Sequence, residues 1–155
     1  MFNVEERAML RGRIAQRAVV QDRGFETECW ISTRASQPNG YTKIGYRGRT
    51  WLTHRLSWSV HREPIPDDLV IDHLCRERAC VNPDHLEPVS NRTNLLRGAG
   101  FVASQAKQST CLRGHPLEGD NLYRPPARPN KRECRTCRIE ATRRSKERAA
   151  TRPTG

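Results

Sequence analysis

Between residues 72 and 94 the chain reads DHLCRERACVNPDHLEPVSNRTN, a window that mixes histidines, cysteines, aspartates and asparagines. Cys75 and Cys80 bracket four residues, and His85 follows Cys80 after another four. Zinc takes four ligands in a tetrahedron, and thiolates with an imidazole suit it. Three ligands are local here, so a closed site needs a fourth. Cys29 is the one cysteine that no other cluster claims, just ahead of the apolar pair Trp30–Ile31. The expected site is therefore Cys29, Cys75, Cys80 and His85, which ties an early strand to the central segment. The plain alternative for Cys29 is an ordinary buried thiol beside Trp30.

This assignment leaves His73 free. It stands two residues before Cys75, on the same face of an extended segment, without having to reach the metal. Asp72 precedes it, and Asn94 follows twenty-one residues later. A neutral imidazole can take a proton from water near neutral pH. The hard oxygens of Asp72 and Asn94 suit a magnesium or manganese ion. Together these are the groups that phosphodiester hydrolysis needs. Singly, each has a bland alternative: a satisfied histidine, a turn aspartate, an amide capping a backbone group. Asn82 and Asn91 compete with Asn94, but Asn82 in VNPDH is better suited to shaping the turn before Pro83.

A second cluster follows in TCLRGHPLEGDNLYRPPARPNKRECRTCR. Cys111 and His115 form one pair, Cys134 and Cys137 another, with an eighteen-residue spacer between the pairs. Four ligands in that order are a ribbon-like zinc signature with no open position for water. Lys131, Arg132, Arg135 and Arg138 crowd the second pair, and cations at that density favour phosphates without much reading of sequence.

The elements that must position these residues are short. Over VEERAMLRGRIAQRAVVQ, residues 4 to 21, Met9, Leu10, Ile14 and Ala18 recur at helical spacing. Trp30–Ile31 reads as a strand, QPNG as a turn, and YTKIGYRGRTW as a strand or hairpin. LTHRLSWSVHRE reads as a helix with Leu52, Arg55, Leu56 and Ser59 along one face. VIDHL and HLEPV read as strands. SNRTNLLRG reads as a helix capped by Ser90 and stopped at Gly98. Residues 99–109 read as a linker, and the basic C-terminal stretch as helix that frays at its end.

Bulk composition agrees with a small metal-held nucleic-acid binder. The chain has 155 residues, of which 35% are hydrophobic and 29% charged. Such a thin core commonly needs metal or disulfide support. The formal net charge of +11 favours a polyanionic partner. No apolar run is long enough to span a bilayer, and MFNVEERAML lacks the order of a signal peptide. Cysteines in a reducing cytoplasm are better metal ligands than disulfide partners.

VIDHLCRERACVNPDHLEPVSNRTNLLRG, with THRLSW upstream, resembles an HNH endonuclease of the ββα-metal, or His-Me finger, superfamily. Its zinc spacing is similar to that of the His-Cys box homing endonucleases. The resemblance spans roughly residues 40 to 98. It implies a small zinc-stabilised ββα-metal core, and with the second cluster read as a C-terminal zinc ribbon-like module the expected fold class is α+β. It implies His73 as general base, Asp72 and Asn94 as ligands of a catalytic Mg2+ or Mn2+, and His85 as a structural zinc ligand. Products would carry 5′ phosphate and 3′ hydroxyl ends. Many HNH motifs end on histidine where Asn94 stands, which bears on the metal geometry. An arginine to polarise the phosphate is expected among Arg47, Arg49 and Arg55, and the sequence does not choose between them.

The expected layout is an N-terminal helix over 1–24, a nuclease domain over 25–98, a linker over 99–109, a zinc module over 110–140 and a basic tail over 141–155. Two structural zinc ions, double-stranded DNA as partner, no membrane and a bacterial or phage-infected cytoplasm complete the expectation. Oligomeric state is open. The competing reading is a non-catalytic zinc protein that binds nucleic acid as a regulator.

Overall fold

A computed structural model describes residues 2–151, so residues 152–155 of the expected tail lie outside the described part. The architecture is α+β, in two compact units over 1–98 and 99–155. Strands occur only as two-stranded antiparallel ribbons, four among the described residues. Among these residues no helix is long and apolar enough to cross a membrane.

The first unit opens with α1, Val4–Ala15. Asn3 and Glu6 form a reciprocal capping box: the Glu6 amide donates to Asn3 Oδ1 at 2.8 Å, and the Asn3 amide to Glu6 Oε2 at 3.0 Å. Leu10 and Ile14, one turn apart, are its buried residues. The helix does not run to residue 21 as its periodicity suggests. Ala18–Gln21 is instead strand β1, paired with β2, Cys29–Ser32. Val19 and Val20 are β-branched, and a waiting partner strand overrides a helical spacing that nothing in the sequence terminates.

Strands β3, Lys43–Tyr46, and β4, Arg49–Leu52, form a hairpin. Arg47 and Gly48 both have positive φ, 51° and 67°, as the two central residues of a type I′ turn require. Helix α2, Thr53–His61, follows directly. It buries Thr53, His54, Leu56, Ser57 and Val60, so its inner face lies to one side of the expected Leu52–Arg55–Leu56–Ser59 stripe. Leu56 and Val60 pack with Leu10, Ile14, Ile44 and Val81 to form the core of this unit.

Strands β5, Leu69–His73, and β6, Leu86–Ser90, pair in the register Asp72↔Glu87 and His73↔Leu86. Pro88 is tolerated because β6 has a single partner. Helix α3, Asn91–Arg97, follows, with the Ser90 hydroxyl accepting from the Thr93 amide at 3.1 Å and Gly98 at its end. The loop between β5 and β6 lies along β2. Ser32 donates to the Ala79 carbonyl at 2.9 Å and Val81 to the Trp30 carbonyl at 2.8 Å. Backbone pairing thus brings Cys80 alongside the strand that begins at Cys29.

In the second unit, residues 101–107 are helix α4, Phe101–Lys107, where the sequence suggested a linker. Its last carbonyls find a donor: Arg132 Nη1 lies 2.9 Å from both Gln105 O and Ala106 O. Strands β7, Leu122–Tyr123, and β8, Glu133–Cys134, make a minimal ribbon, and α5, Arg135–Ala150, runs on from it. Asn121 stitches the knot together, its Oδ1 accepting from the amide and hydroxyl of Thr136 at 3.0 and 2.8 Å.

Candidate metal centres and candidate active site

Two groups of side chains could hold zinc. Cys29, Cys75, Cys80 and His85 bring their ligand atoms within 4.8 Å of one another, and so do Cys111, His115, Cys134 and Cys137. Around tetrahedral zinc, sulfurs stand about 3.8 Å apart, and sulfur and nitrogen about 3.5 Å. His85 Nδ1 is 3.4 Å from Cys29 Sγ and 3.6 Å from Cys80 Sγ. In the second cluster Cys111 and Cys137 sulfurs are 3.6 Å apart, and His115 Nδ1 is 3.3 Å from Cys137 Sγ. The donor chemistry and the spacing both fit zinc.

The first knot carries an outer support. With Nδ1 turned to the thiols, His85 Nε2 carries the proton and meets Thr27 Oγ1 at 2.6 Å, while Phe25 packs edge-on at 4.7 Å. Burial raises the Cys29 thiol to about 11, whereas the hydrogen bond from Cys80 lowers Cys75 to about 5. The cluster thus favours the thiolate at Cys75 over that at Cys29, and a cation would draw off the remaining protons. Asn82, the competing asparagine, shapes the turn: its Oδ1 accepts from the Asp84 amide and its Nδ2 donates to the Glu28 carbonyl, each at 3.0 Å. Asn91 is exposed at the start of α3.

His73 stands outside this cluster. Its Nε2 is 3.1 Å from the carbonyl oxygen of Cys80. A carbonyl only accepts, so Nε2 carries the hydrogen and Nδ1 keeps a lone pair. The ring lies 4.8 Å from that of His54 and 5.8 Å from Tyr41, centroid to centroid. Burial lowers the pKa of His73 from its usual 6.5. The site therefore holds a neutral imidazole with an oriented free nitrogen.

Asp72 turns the other way, toward α3. Its Oδ1 accepts from Arg76 Nη1 at 2.7 Å, and its Oδ2 lies 3.5 Å from Arg97 Nη1. That Oδ2 is buried, makes no hydrogen bond and faces Arg97, which a divalent cation there would have to displace. Glu87, directly across the ribbon, shares Arg97 as an ion-pair partner. Asn94 is half-buried on α3, one turn before Arg97, the residue that pairs with Asp72. Asp72 and His73 thus leave the end of β5 toward different sides.

Arg47, Arg49 and Arg55 line one cleft of about 570 Å³, with Phe2, Tyr46 and Trp51 among its walls. Arg47 is paired with Glu6, which leaves Arg49 and Arg55 as the freer cations of the three. In the second unit Lys131 pairs with Glu133 at 2.7 Å, and Arg132 caps α4. Arg135 and Arg138 are exposed on α5, and Arg138 also lies 3.4 Å from Glu133.

Sequence reasoning gave no role to His54, Arg76 or Arg97. Arg97 had a usable signal, being one helical turn from Asn94. His54 had none until the inner face of α2 was known. Burial lowers the His54 pKa from 6.5 to about 3, with repulsion from His73 adding to it. Unfolded, this ring titrates near 6.5. Below that pH the unfolded chain takes up a proton that the fold excludes. Stability is therefore full above about pH 6.5 and is lost as pH falls toward 3, by up to about 1.4 kcal/mol per pH unit for one such group. Acid unfolding followed by circular dichroism is expected to show a shallower slope in His54→Gln; an unchanged slope would exclude this assignment.

Residues 52–96 match the family model described as HNH endonuclease. The match spans 45 of the 155 residues. It takes in Asp72, His73, Cys75, Cys80, His85 and Asn94, together with His54, and leaves Cys29 and the β3–β4 turn outside. A stretch of 47 residues is 38% identical to a protein of Enterobacteria phage T3 described as an uncharacterized gene 5.3 protein. That alignment covers 30% of this chain and 46% of the phage protein, so the chain spans less than half of that relative's length. No solved structure matches.

Proposed function

We propose that the chain is a metal-dependent endonuclease that hydrolyses DNA phosphodiester bonds. The observation that carries this reading is the presence, on one strand, of a buried, neutral His73, its Nε2 held by the Cys80 carbonyl, next to an Asp72 whose Oδ2 is buried without a hydrogen bond. His73 Nδ1 takes the proton from a water that attacks the phosphate. Asp72 and Asn94 would hold Mg2+ or Mn2+, which would supply neutralising charge to the phosphate and the departing 3′ oxygen. Arg49 and Arg55 grip the backbone from the aromatic-walled cleft. Products carry 5′ phosphate and 3′ hydroxyl ends.

In this reading the nuclease domain is 25–98. Residues 110–140 form a DNA-binding zinc module, with Arg135 and Arg138 contributing to it, and two zinc ions hold the two knots. The phage relative supports action in an infected bacterial cytoplasm. One observation favours the regulator alternative: Asp72 is held by Arg76 and Arg97 as a purely structural carboxylate would be. Plasmid nicking separates the two. Zinc-loaded protein is expected to nick supercoiled DNA only after Mg2+ or Mn2+ is added. Protein that binds plasmid with both zinc ions present, yet never cuts under any divalent ion, would establish the regulator instead.

A further inference from the structure

Helix α5 buries none of its sixteen residues, yet one flank of it is ordered by type. Arg135, Arg138, Ile139, Thr142, Arg143 and Lys146 follow the spacing i, i+3, i+4, i+7, i+8, i+11 and so form a single stripe. With Tyr123 they line an open groove of about 740 Å³. Four cations flank Ile139 and Thr142, and Ile139 is 62% exposed. Glu140 pairs with Arg113 at 2.7 Å, off this stripe, whereas Glu147 and Glu133 each face one of its cations, 3.6 Å from Arg143 and 3.4 Å from Arg138. Tyr123 stacks under the Arg138 guanidinium at 4.2 Å, which settles that side chain before any partner arrives.

The base of the helix is fixed as well. Cys134 caps it, its sulfur accepting from the Cys137 amide at 3.4 Å, and both residues belong to the second candidate zinc cluster. From there α5 extends for about 24 Å at 1.5 Å per residue. A helix with so little apolar surface gains little from folding alone and needs a partner to make use of its ordered flank. The partner must be a polyanion with a concave surface wide enough for a helix. The major groove of duplex DNA, about 12 Å wide, matches a helix diameter of about 10–12 Å.

We infer that α5 is a reading helix: Arg135, Arg138, Arg143 and Lys146 seat it on phosphates or guanines of duplex DNA, while Ile139 and Thr142 contact thymine methyl groups. Apolar side chains in the major groove discriminate thymine, and cations outside it contribute affinity on every sequence. This deepens the proposed nuclease reading by placing target choice in the second unit, outside the HNH domain.

The test uses the full-length, zinc-loaded chain without Mg2+, so that nothing is cut. Selection from a randomised duplex pool is expected to enrich a consensus containing A·T pairs. On the selected site, Ile139→Ala and Thr142→Ala should each lose about tenfold in affinity and flatten the consensus. Arg143→Ala should lower the slope of log affinity against log salt by about 1. Arg144→Ala, on the opposite side of the helix, should leave the consensus intact. Zinc content and helicity of each variant confirm that it is folded. No enrichment, a consensus indifferent to Ile139 and Thr142, or preference for a single-stranded pool would overturn the inference. The two readings fail differently: plasmid cut without any selected consensus defeats the reading helix, whereas a selected site bound but never cut defeats the nuclease.

Discussion

Replacing His73 by alanine or glutamine is expected to slow DNA nicking by roughly 10²–10⁴-fold while both zinc ions stay bound. The two variants divide the ring's work. Alanine leaves a gap beside His54 and Tyr41 and so lowers the melting temperature somewhat. Glutamine refills much of that space, and its amide can still donate to the Cys80 carbonyl, but it offers no basic nitrogen to water. Equal loss of rate in the two therefore assigns the effect to proton transfer and not to packing. Metal analysis is the check on ligand roles. Loss of one zinc from His73→Gln would place this ring among the ligands and remove it from the chemistry.

Replacing His85 by alanine is expected to abolish folding of the 1–98 unit. Its ring is 1% exposed, between Phe25 and the three thiols, and its Nδ1 is the only nitrogen in that cluster. Zinc supplies on the order of ten kcal/mol to such knots in small peptides, comparable to the whole stability of an ordinary domain. Zinc per chain should fall from about two to about one, and limited proteolysis should digest the first unit ahead of residues 99–155. Cys137→Ser should do the reverse. A His85→Ala protein that keeps two zinc ions and resists proteolysis would show that this knot is not held by metal.

Local chemistry was legible in the sequence. Ligands four or five residues apart announce themselves, because chain geometry alone keeps them close. Ser90 and Gly98 marked the ends of α3 through their backbone preferences. What the sequence hid was decided by distant partners. Nothing after Ala15 stops a helix, so only pairing with Cys29–Ser32 reveals Ala18–Gln21 as a strand. Arg132 looked like a phosphate contact until α4 supplied the carbonyls it caps. The inner face of α2 depends on where α1 lies, and so the contact between His54 and His73 could not be read from spacing. The roles of Asp72, His73 and Asn94 were suggested by residue type and order, and their partners Arg76, Arg97 and the Cys80 carbonyl became visible only in three dimensions.

Cys80 faces two tasks with one residue: its sulfur belongs to the first cluster, and its carbonyl, a few bonds away, orients the imidazole of His73. On the proposed mechanism, a freshly synthesised chain that has not yet captured its metal has no fixed carbonyl, and its imidazole is free to rotate or to protonate on either nitrogen. Maturation would then act as a safety catch, keeping the nascent polypeptide harmless to the genome around it. An oxidant that welds Cys80 to a neighbouring thiol would re-engage that catch without touching a single group that meets the substrate.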